Sequence, residues 1–296
     1  MKILVFGSFN IDKVYSLPYL PEKGESLRCE NYEIHVGGKG LNQALAFKKA
    51  GADVFAAGKI GKDGRFLTDF LGQNGVDISL MDFSGETTGH TIIEVDPEGQ
   101  NQMILFGGAN MEITEEYCDE IIKKHPDCDL IMTEYETSSV EYMLSLAHKA
   151  GIKTAVNPSP YTEKLKNFPY NLADYIILNE FEGKSITGLD NADDICDALY
   201  ALNKGIIILT LGAEGSVYYD GSKRVSVPAF KVNAVDTTGA GDTFTGYCLS
   251  RLLSGDEPEK ALRIASAASA LEVTKPGAAQ TIPDKEEVEK FLEEIG

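Results

Sequence analysis

The chain is poor in several things that would each have pointed to a class of protein. Cationic side chains are scarce: 27 Lys and Arg stand against 46 Asp and Glu, a formal charge of −19 at neutral pH. A surface of that sign repels nucleic acid and anionic membranes, so neither is an expected partner. Any phosphate site must then be assembled locally, from backbone amides, a few cations and a metal. The five cysteines, Cys29, Cys118, Cys128, Cys196 and Cys248, are scattered, with no Cys-x-x-Cys pair or Cys/His cluster. They read as reduced thiols in a cytoplasmic setting and argue against zinc. No apolar run is long enough to span a bilayer, and the opening run at residues 3–6 reads as a strand, too short for a signal peptide. Repeats and low-complexity segments are missing too. So is the dinucleotide fingerprint: no second or third glycine follows Gly7 at Gly-x-Gly-x-x-Gly spacing, which argues against a nicotinamide oxidoreductase.

What is present is ordinary globular composition, 43% hydrophobic and 25% charged over 296 residues, with length for a large core. Short apolar runs at 3–6, 54–60, 130–133, 153–156, 175–178 and 206–211 read as strands. Helical patterns lie between them, at about 37–50 (Leu41, Ala44, Leu45 and Lys48 on one flank, Asn42 elsewhere), 65–73 (Phe66, Phe70 and Leu71 inward) and 138–150. Such alternation predicts an α/β fold with a Rossmann-like, mostly parallel central sheet and helices on both faces. Two stretches break the rule. Residues 14–36 carry Pro18, Pro21 and Gly24 and then a strand-like run from 26 to 36; segments 88–95 and 103–106 flank the turn Asp96-Pro97-Glu98-Gly99. They predict a small separate sheet. Ile92-Ile93 and Met103-Ile104-Leu105-Phe106 are apolar on successive residues, so both of its faces need cover.

The chemistry gathers at two glycine-rich turns. Residues 37–44 read Gly-Gly-Lys-Gly-Leu-Asn-Gln-Ala, and 235–244 read Val-Asp-Thr-Thr-Gly-Ala-Gly-Asp-Thr-Phe. In the second, the stripe Phe244, Cys248, Leu249, Leu252 and Leu253 starts a helix near Ala240. Free amides at that end, with the helix dipole behind them, make an anion site. Asp242 sits among them. First-turn charge complementarity is one reading of it. The other is a base beside a phosphoryl group in transfer, which needs donors around its charge and a carboxylate near the attacking hydroxyl. Polar residues at strand ends, Asn10, Asp12, Glu136 (with Glu134 two residues earlier), Asn157, Asn179 and Thr210, predict a single cleft on one sheet edge. Each has a plainer reading: an Asx turn at Asn10 and Asp12, helix capping for Asn179-x-x-Glu182, a strand-to-turn connection at 210–215. Lys39 alone would pass for a surface lysine.

Together the two turns closely resemble the paired signatures of the ribokinase (PfkB-type) sugar kinase family. Further pieces stand in the family's order: Gly7-Ser8-Phe9-Asn10-Ile11-Asp12, Gly108-Ala109-Asn110, Asn157-Pro158, Asn179-Glu180-Phe181-Glu182 and Thr210-Leu211-Gly212. The resemblance spans essentially the whole chain. It implies one sugar-kinase domain over 1–296, with a lid from about 13–36 and 88–106 inserted in the α/β core. The implied activity is ATP-dependent phosphorylation of a primary hydroxyl of a small sugar, O5 of ribose foremost. A nucleoside kinase is the alternative within the class. A non-catalytic sugar- or nucleotide-binding protein is the alternative outside it, and the intact Asp242 and glycine turns argue against that.

The resemblance also implies roles. Asp242 is the general base, and the amides of Gly239, Ala240, Gly241 and Asp242 hold the γ-phosphate charge. Asn10, Asp12, Gly38, Lys39, Asn42, Asn110 and Glu136 face the sugar. Asn179, Thr210, Gly212, Gly215, Gly241 and Ser266 face the nucleotide, Ser266 standing where the family often has His or Asn. Glu182 holds Mg²⁺ through water. A potassium site takes side chains from Asp236 and Thr281 and carbonyls from Thr238, Glu272, Lys275 and Gly277, although Asp236 alone would also read as a turn cap. The implied assembly is a homodimer through the lid sheets.

Overall fold

The computed structural model describes residues 1–295. Its first strand, β1 (Lys2–Phe6), explains the layering. Ile3 and Val5 point into one apolar core and Leu4 and Phe6 into another, all fully buried. A strand buried on both faces must lie inside a sheet that is covered on both sides.

In chain order, β1 leads to β2 (Asn10–Ser16), β3 (Asn31–Gly37), α1 (Lys39–Lys49), β4 (Asp53–Ala57), β5 (Lys59–Gly61) and α2 (Arg65–Gln73). Next come β6 (Asp82–Gly85), β7 (Gly89–Val95), β8 (Asn101–Phe106), α3 (Glu115–Lys124), β9 (Leu130–Glu134), α4 (Val140–Ala150) and β10 (Lys153–Asn157). Then follow β11 (Tyr175–Asn179), α5 (Glu180–Thr187), α6 (Ala192–Asn203), β12 (Ile206–Thr210), β13 (Ser216–Tyr219) and β14 (Arg224–Val227). Three helices finish the chain: α7 (Ala240–Leu253), α8 (Pro258–Glu272) and α9 (Lys285–Ile295). None of the described helices is long and apolar enough to cross a membrane.

The central sheet has eight strands in the order β4-β1-β9-β10-β11-β12-β13-β14, parallel except for β13, which runs antiparallel to both of its neighbours. The order reverses at β1, which pairs β4 on one side and β9 on the other. Ligand crevices in such sheets open beyond the strands' C-terminal ends at this kind of switch point. Register brings Glu134 beside Asn157 and Asn179 beside Thr210 on that edge.

The separate small sheet is present, with four strands in the order β3-β2-β7-β8. Register sets Ile34, Lys13, Ile92 and Ile104 in one cross-strand row, and His35, Asp12, Thr91 and Leu105 in the next. Successive residues face opposite ways, so one face is mainly apolar and the other carries Asp12. Met103, Ile104, Leu105 and Phe106 are exposed to 52, 62, 46 and 50%, so β8 is covered on neither face in a single chain.

Four local expectations need correction. The run 54–60 is two strands, broken at Gly58, where a Cβ would lie 2.4 Å from the Phe9 ring; β5 then pairs with β6 apart from the main sheet. β3 starts only at Asn31, and the small sheet reaches back to Asn10, earlier than 13. In α2, Leu67 and Leu71 point inward and Phe66 is exposed, because the helix meets the body along one narrow stripe. Helix α1 is not one-sided: every residue from Gly40 to Phe47 is buried. Helix α7 lies across its second side so closely that a Cβ on Gly246 would stand 2.5 Å from the Ala46 methyl.

Candidate active site

Helix α7 starts at Gly239, whose φ of +84° is one that residues with a Cβ rarely adopt. No side chain caps it. The Ala240 N–H already donates to the Thr237 carbonyl at 3.3 Å, while among the described residues the amides of Gly241 and Asp242 have no backbone acceptor. Of the four amides from Gly239 to Asp242, that of Ala240 is thus already engaged. Asp242 is buried and held by both oxygens: Asn42 Nδ2 donates to Oδ2 at 3.1 Å and Gln43 Nε2 to Oδ1 at 2.9 Å. Neighbouring residues on one buried helix thus fix the plane of the carboxylate. Asn42 was expected to face the sugar; its amide NH₂ is turned to Asp242. Gln43 was not singled out in the sequence. The signal was the second covered side of α1, which leaves a buried amide in need of a partner.

Lys39, Asn157, Asn179, Glu182, Thr210, Gly241 and Asp242 line one narrow cavity of about 60 Å³ beyond the strand ends. Burial works against the charge on Lys39, but Asp242, Glu136, Glu182 and Glu134 outweigh it and raise its pKa, so it stays cationic. A fixed cation among carboxylates, beside free helix-terminal amides, suits a phosphate chain.

The other half of the cleft is carboxylate-rich. Glu134 is fully buried and accepts the N–H groups of Ser8 and Glu136, tying β9 to the end of β1. Glu136 turns toward the cleft, accepting from Ser8 Oγ at 3.0 Å and Asn10 Nδ2 at 3.3 Å. The structure so separates two residues that the sequence left adjacent: Glu134 is a fastener, and Glu136 meets the side chains of Ser8 and Asn10. Burial raises both pKa values; Glu136 adds to the rise at Glu134, and Lys39 opposes it at Glu136. Asn110 spends its side chain on the protein, taking the Phe9 N–H at 3.0 Å and donating to Asn10 Oδ1 at 2.8 Å. It aims Asn10.

Asp12 is pushed up to about 6, by burial first and by Glu136 second, with Thr91 and His35 acting the other way. Its carboxylate fills the space a side chain on residue 37 would need: a Cβ on Gly37 would meet Oδ2 at 2.0 Å. The first glycine turn therefore makes room for a neighbour's carboxylate as well as for a ligand. Gly38 forms the N-cap of α1 at the same spot.

On the nucleotide side, Asn179 and Glu182 form a reciprocal capping box on α5: Asn179 Oδ1 accepts the Glu182 N–H at 2.9 Å, and Glu182 Oε2 the Asn179 N–H at 3.0 Å. The plain reading of that motif is real, yet both residues also line the cavity. Thr210 Oγ1 lies 3.4 Å from the Leu178 carbonyl, and Gly212 and Gly215 bend the turn that follows. Ser266 is buried on α8, outside the residues lining the cavity. The small residues beside it pack α8 against α7, where Ser269 Oγ donates to the Ala240 carbonyl at 2.8 Å. Among the described residues no group of three His, Cys, Asp or Glu is placed to hold a metal. At the cavity wall Glu182 offers one carboxylate, which fits a Mg²⁺ carried on phosphates with its waters.

Behind the second glycine turn, Asp236 joins two segments: Oδ1 accepts the Thr238 N–H at 2.9 Å and Oδ2 the Gly277 N–H at 3.0 Å. Thr281 Oγ1 lies 3.0 Å from the Gly277 carbonyl and 2.7 Å from that of Ala278. The carbonyl of Glu272 accepts the Lys275 N–H at 3.0 Å. The Glu272 side chain is fully buried, and among the described residues neither oxygen is in a formed hydrogen bond; burial, with Asp242 and Asp236 nearby, pushes it up to about 8 against the opposing pull of the Thr243 hydroxyl. Carbonyls and carboxylates around an unsatisfied buried group are a donor set that fits a large monovalent cation.

With this geometry the chain was compared with known proteins. The model of the pfkB family carbohydrate kinases matches residues 1–285. The ribokinase of Haemophilus influenzae is 37% identical over 98% of both chains, and that of Bacillus subtilis 35% identical over 98% of this chain and 99% of its own. A solved structure of Arabidopsis thaliana ribokinase with ribose and ATP superposes with a TM-score of 0.88 over 98% of both chains at 28% identity. A carboxylate steadied beside free helix-terminal amides, and a match along nearly the whole length, place this chain in the pfkB family of carbohydrate kinases.

Proposed function

We propose that the protein transfers the γ-phosphoryl group of ATP to O5 of ribose. The observation that carries the reading is Asp242, buried, aimed by Asn42 and Gln43, and set at the free-amide end of α7 in the cavity that holds Lys39. Relatives named ribokinase along the full length support ribose as the acceptor. As O5 attacks phosphorus, the bond from the γ-phosphorus to the bridging oxygen breaks, ADP leaves, and the hydroxyl proton passes to Asp242. The amides of Gly241 and Asp242 meet the charge on the moving group, and Lys39 meets that on the phosphate chain. In a loose transfer most of the acceleration comes from such positioning and charge compensation. Asn10, Asp12 and Glu136 grip the sugar hydroxyls and so choose the acceptor. Glu182 would hold, through water, a Mg²⁺ supplying charge compensation at the phosphates. Asp236 and Thr281 would hold a K⁺ ion and with it the loop that leads into Gly239. The small sheet serves as the lid of a single domain, and a second copy of the chain covers its bare apolar face. Five unpaired cysteines suit a reducing cytoplasm.

Coupled ADP release over ribose, 2-deoxyribose, fructose and adenosine tests the reading. Ribose is expected to give the highest kcat/KM, because a site built around hydroxyls leaves its own polar groups unpaired when one is missing. Adenosine as the best acceptor would overturn it in favour of a nucleoside kinase, and no ADP release with any acceptor would leave a binding protein.

A further inference from the structure

We infer that the side-chain carboxylate of Glu272 is a second anionic ligand of a buried monovalent-cation site lying beneath the Gly239 turn. The inference rests on the K⁺ reading above and extends it from the carbonyl of this residue to its side chain. Glu272 closes α8 and is fully buried, yet neither carboxylate oxygen has a partner. The donor beside it is the Thr243 hydroxyl on the first turn of α7, near enough to ease the carboxylate but outside hydrogen-bond geometry. One hydroxyl proton thus faces two carboxylate oxygens between the two helices, too few donors to satisfy them. The carboxylate presses directly under the anion site: a Cβ on Gly239 would lie 2.8 Å from Oε1. No lysine or arginine is paired with it among the described residues.

Buried carboxylates persist where something satisfies them. Apolar packing cannot serve here, because Asp236 and Asp242 add negative charge to the same region. A cation can. Asp236 already spends both oxygens on the N–H groups of Thr238 and Gly277, so it offers a shared rather than a free charge. Glu272 supplies the unshared one. A large singly charged ion accepts carbonyl and carboxylate oxygens together without demanding octahedral order. Held there, it would oppose the negative charge behind the amides that must receive phosphate.

Thermal unfolding without nucleotide or sugar tests this. The wild type, Glu272→Gln and Asp236→Ala are compared in KCl and in tetramethylammonium chloride at equal ionic strength. Binding of rubidium by equilibrium dialysis serves as an independent readout. For the wild type, K⁺ is expected to raise the midpoint by about 5 °C, the scale set by ligand linkage in a chain of this size. Glu272→Gln should be at least as stable as the wild type in tetramethylammonium, since the side chain loses no hydrogen-bond partner there. It should also lose most of the K⁺ increment and bind rubidium at least about tenfold more weakly. A merely structural glutamate would give the reverse in tetramethylammonium, a less stable Gln variant. If Glu272→Gln keeps the full K⁺ shift while Asp236→Ala loses it, the carboxylate is no ligand although the cation site stands. If the wild type neither shifts with K⁺ nor retains rubidium, both readings fall. Should Gln fail to fold, Glu272→Ala with the same dialysis decides the matter.

Discussion

Two sheets feed one cleft, and they are built on opposite terms. The central sheet is sealed: β1 and β9 are buried on both faces, and the polar residues at their ends are tied down by the protein itself. Glu134 takes two backbone amides, and Asn110 clamps the turn after β1. The small sheet is unfinished. Asp12, His35 and Thr91 lie on one face, and Ile34 and Ile104 stand bare on the other. One sheet is complete without ligand or partner. The other completes its burial only against something outside it. The contrast separates transfer, which needs fixed geometry, from selection, which needs a surface that can close.

The sharpest way to break the comparison is to strike the sealed side. Asp242→Asn keeps the shape and the neighbouring amides but cannot take the O5 proton. Loss of a general base costs about 10²–10⁴-fold in kcat. Sugar and ATP should still bind, as equilibrium titration would register. A variant with near-native kcat would remove Asp242 from the reaction and with it the assignment of transfer to this side.

On the unfinished side the largest expected effect is at Asp12. Hydrogen bonds to a charged group are worth about 1.5–3 kcal/mol, so Asp12→Asn should lower kcat/KM for ribose about 10- to 100-fold. KM for ATP should hardly move. The pH profile gives a second readout. Asp12 is held up to about 6 in the free enzyme, chiefly by burial. The carboxylate must be ionised to accept hydroxyls. As pH falls through about 6 it is protonated, so kcat/KM for ribose should fall on that acid limb. Glu136→Gln removes a like charge and should move the limb lower. A profile flat from pH 5 to 8 in the wild type, a window chosen around ordinary titration near neutrality, would take Asp12 out of sugar recognition.

Next in size is Gln43, on the sealed side but one step from the chemistry. It touches the base and not the substrate, so it is a positioning residue. Gln43→Leu removes one of two donors and should lower kcat about tenfold, with KM for ribose little changed. Gln43→Glu should be worse, since it sets a like charge against Asp242. If Leu leaves kcat intact while only the thermal midpoint falls, the contact is packing and Asn42 alone aims the base.

The same contrast explains what could be read from the chain alone. The alternation of apolar runs and helices was legible because a sealed parallel sheet writes both of its faces into the sequence. The anion site was legible because a glycine turn that opens a helix has few other uses. Asp242 was legible as a carboxylate out of place there. Gln43 was not, since a polar residue on a helix reads as solvent-facing until the second covering helix is known. The division between Glu134 and Glu136 needed the register of β9 against β1. Glu272 was named only for its carbonyl; its side chain looked like one more charge on an acidic chain, and only its burial against Gly239 sets it apart. The small sheet was legible as strands, but its two faces were not, because Ile92-Ile93 and Met103 to Phe106 carry apolar residues on both.

The smallest effect on turnover is expected at that bare face. Ile34 and Ile104 lie in one cross-strand row, opposite to the face carrying Asp12, and both are more than half exposed. Exposed apolar rows on a sheet mark a docking surface, and a two-fold partner would present the same rows in return. Replacing Ile34 and Ile104 together by Asp places charge on the proposed interface and should turn a dimer into a monomer in sedimentation equilibrium. Because the substitutions touch no residue of the central sheet, kcat should stay within a factor of about two. KM for ribose should rise a few-fold, as a lid without its partner closes less firmly over the sugar. If the wild type sediments as a monomer, the apolar face has another occupant. If the double variant stays dimeric, the copies meet elsewhere, and the small sheet reaches its closed form without a second chain.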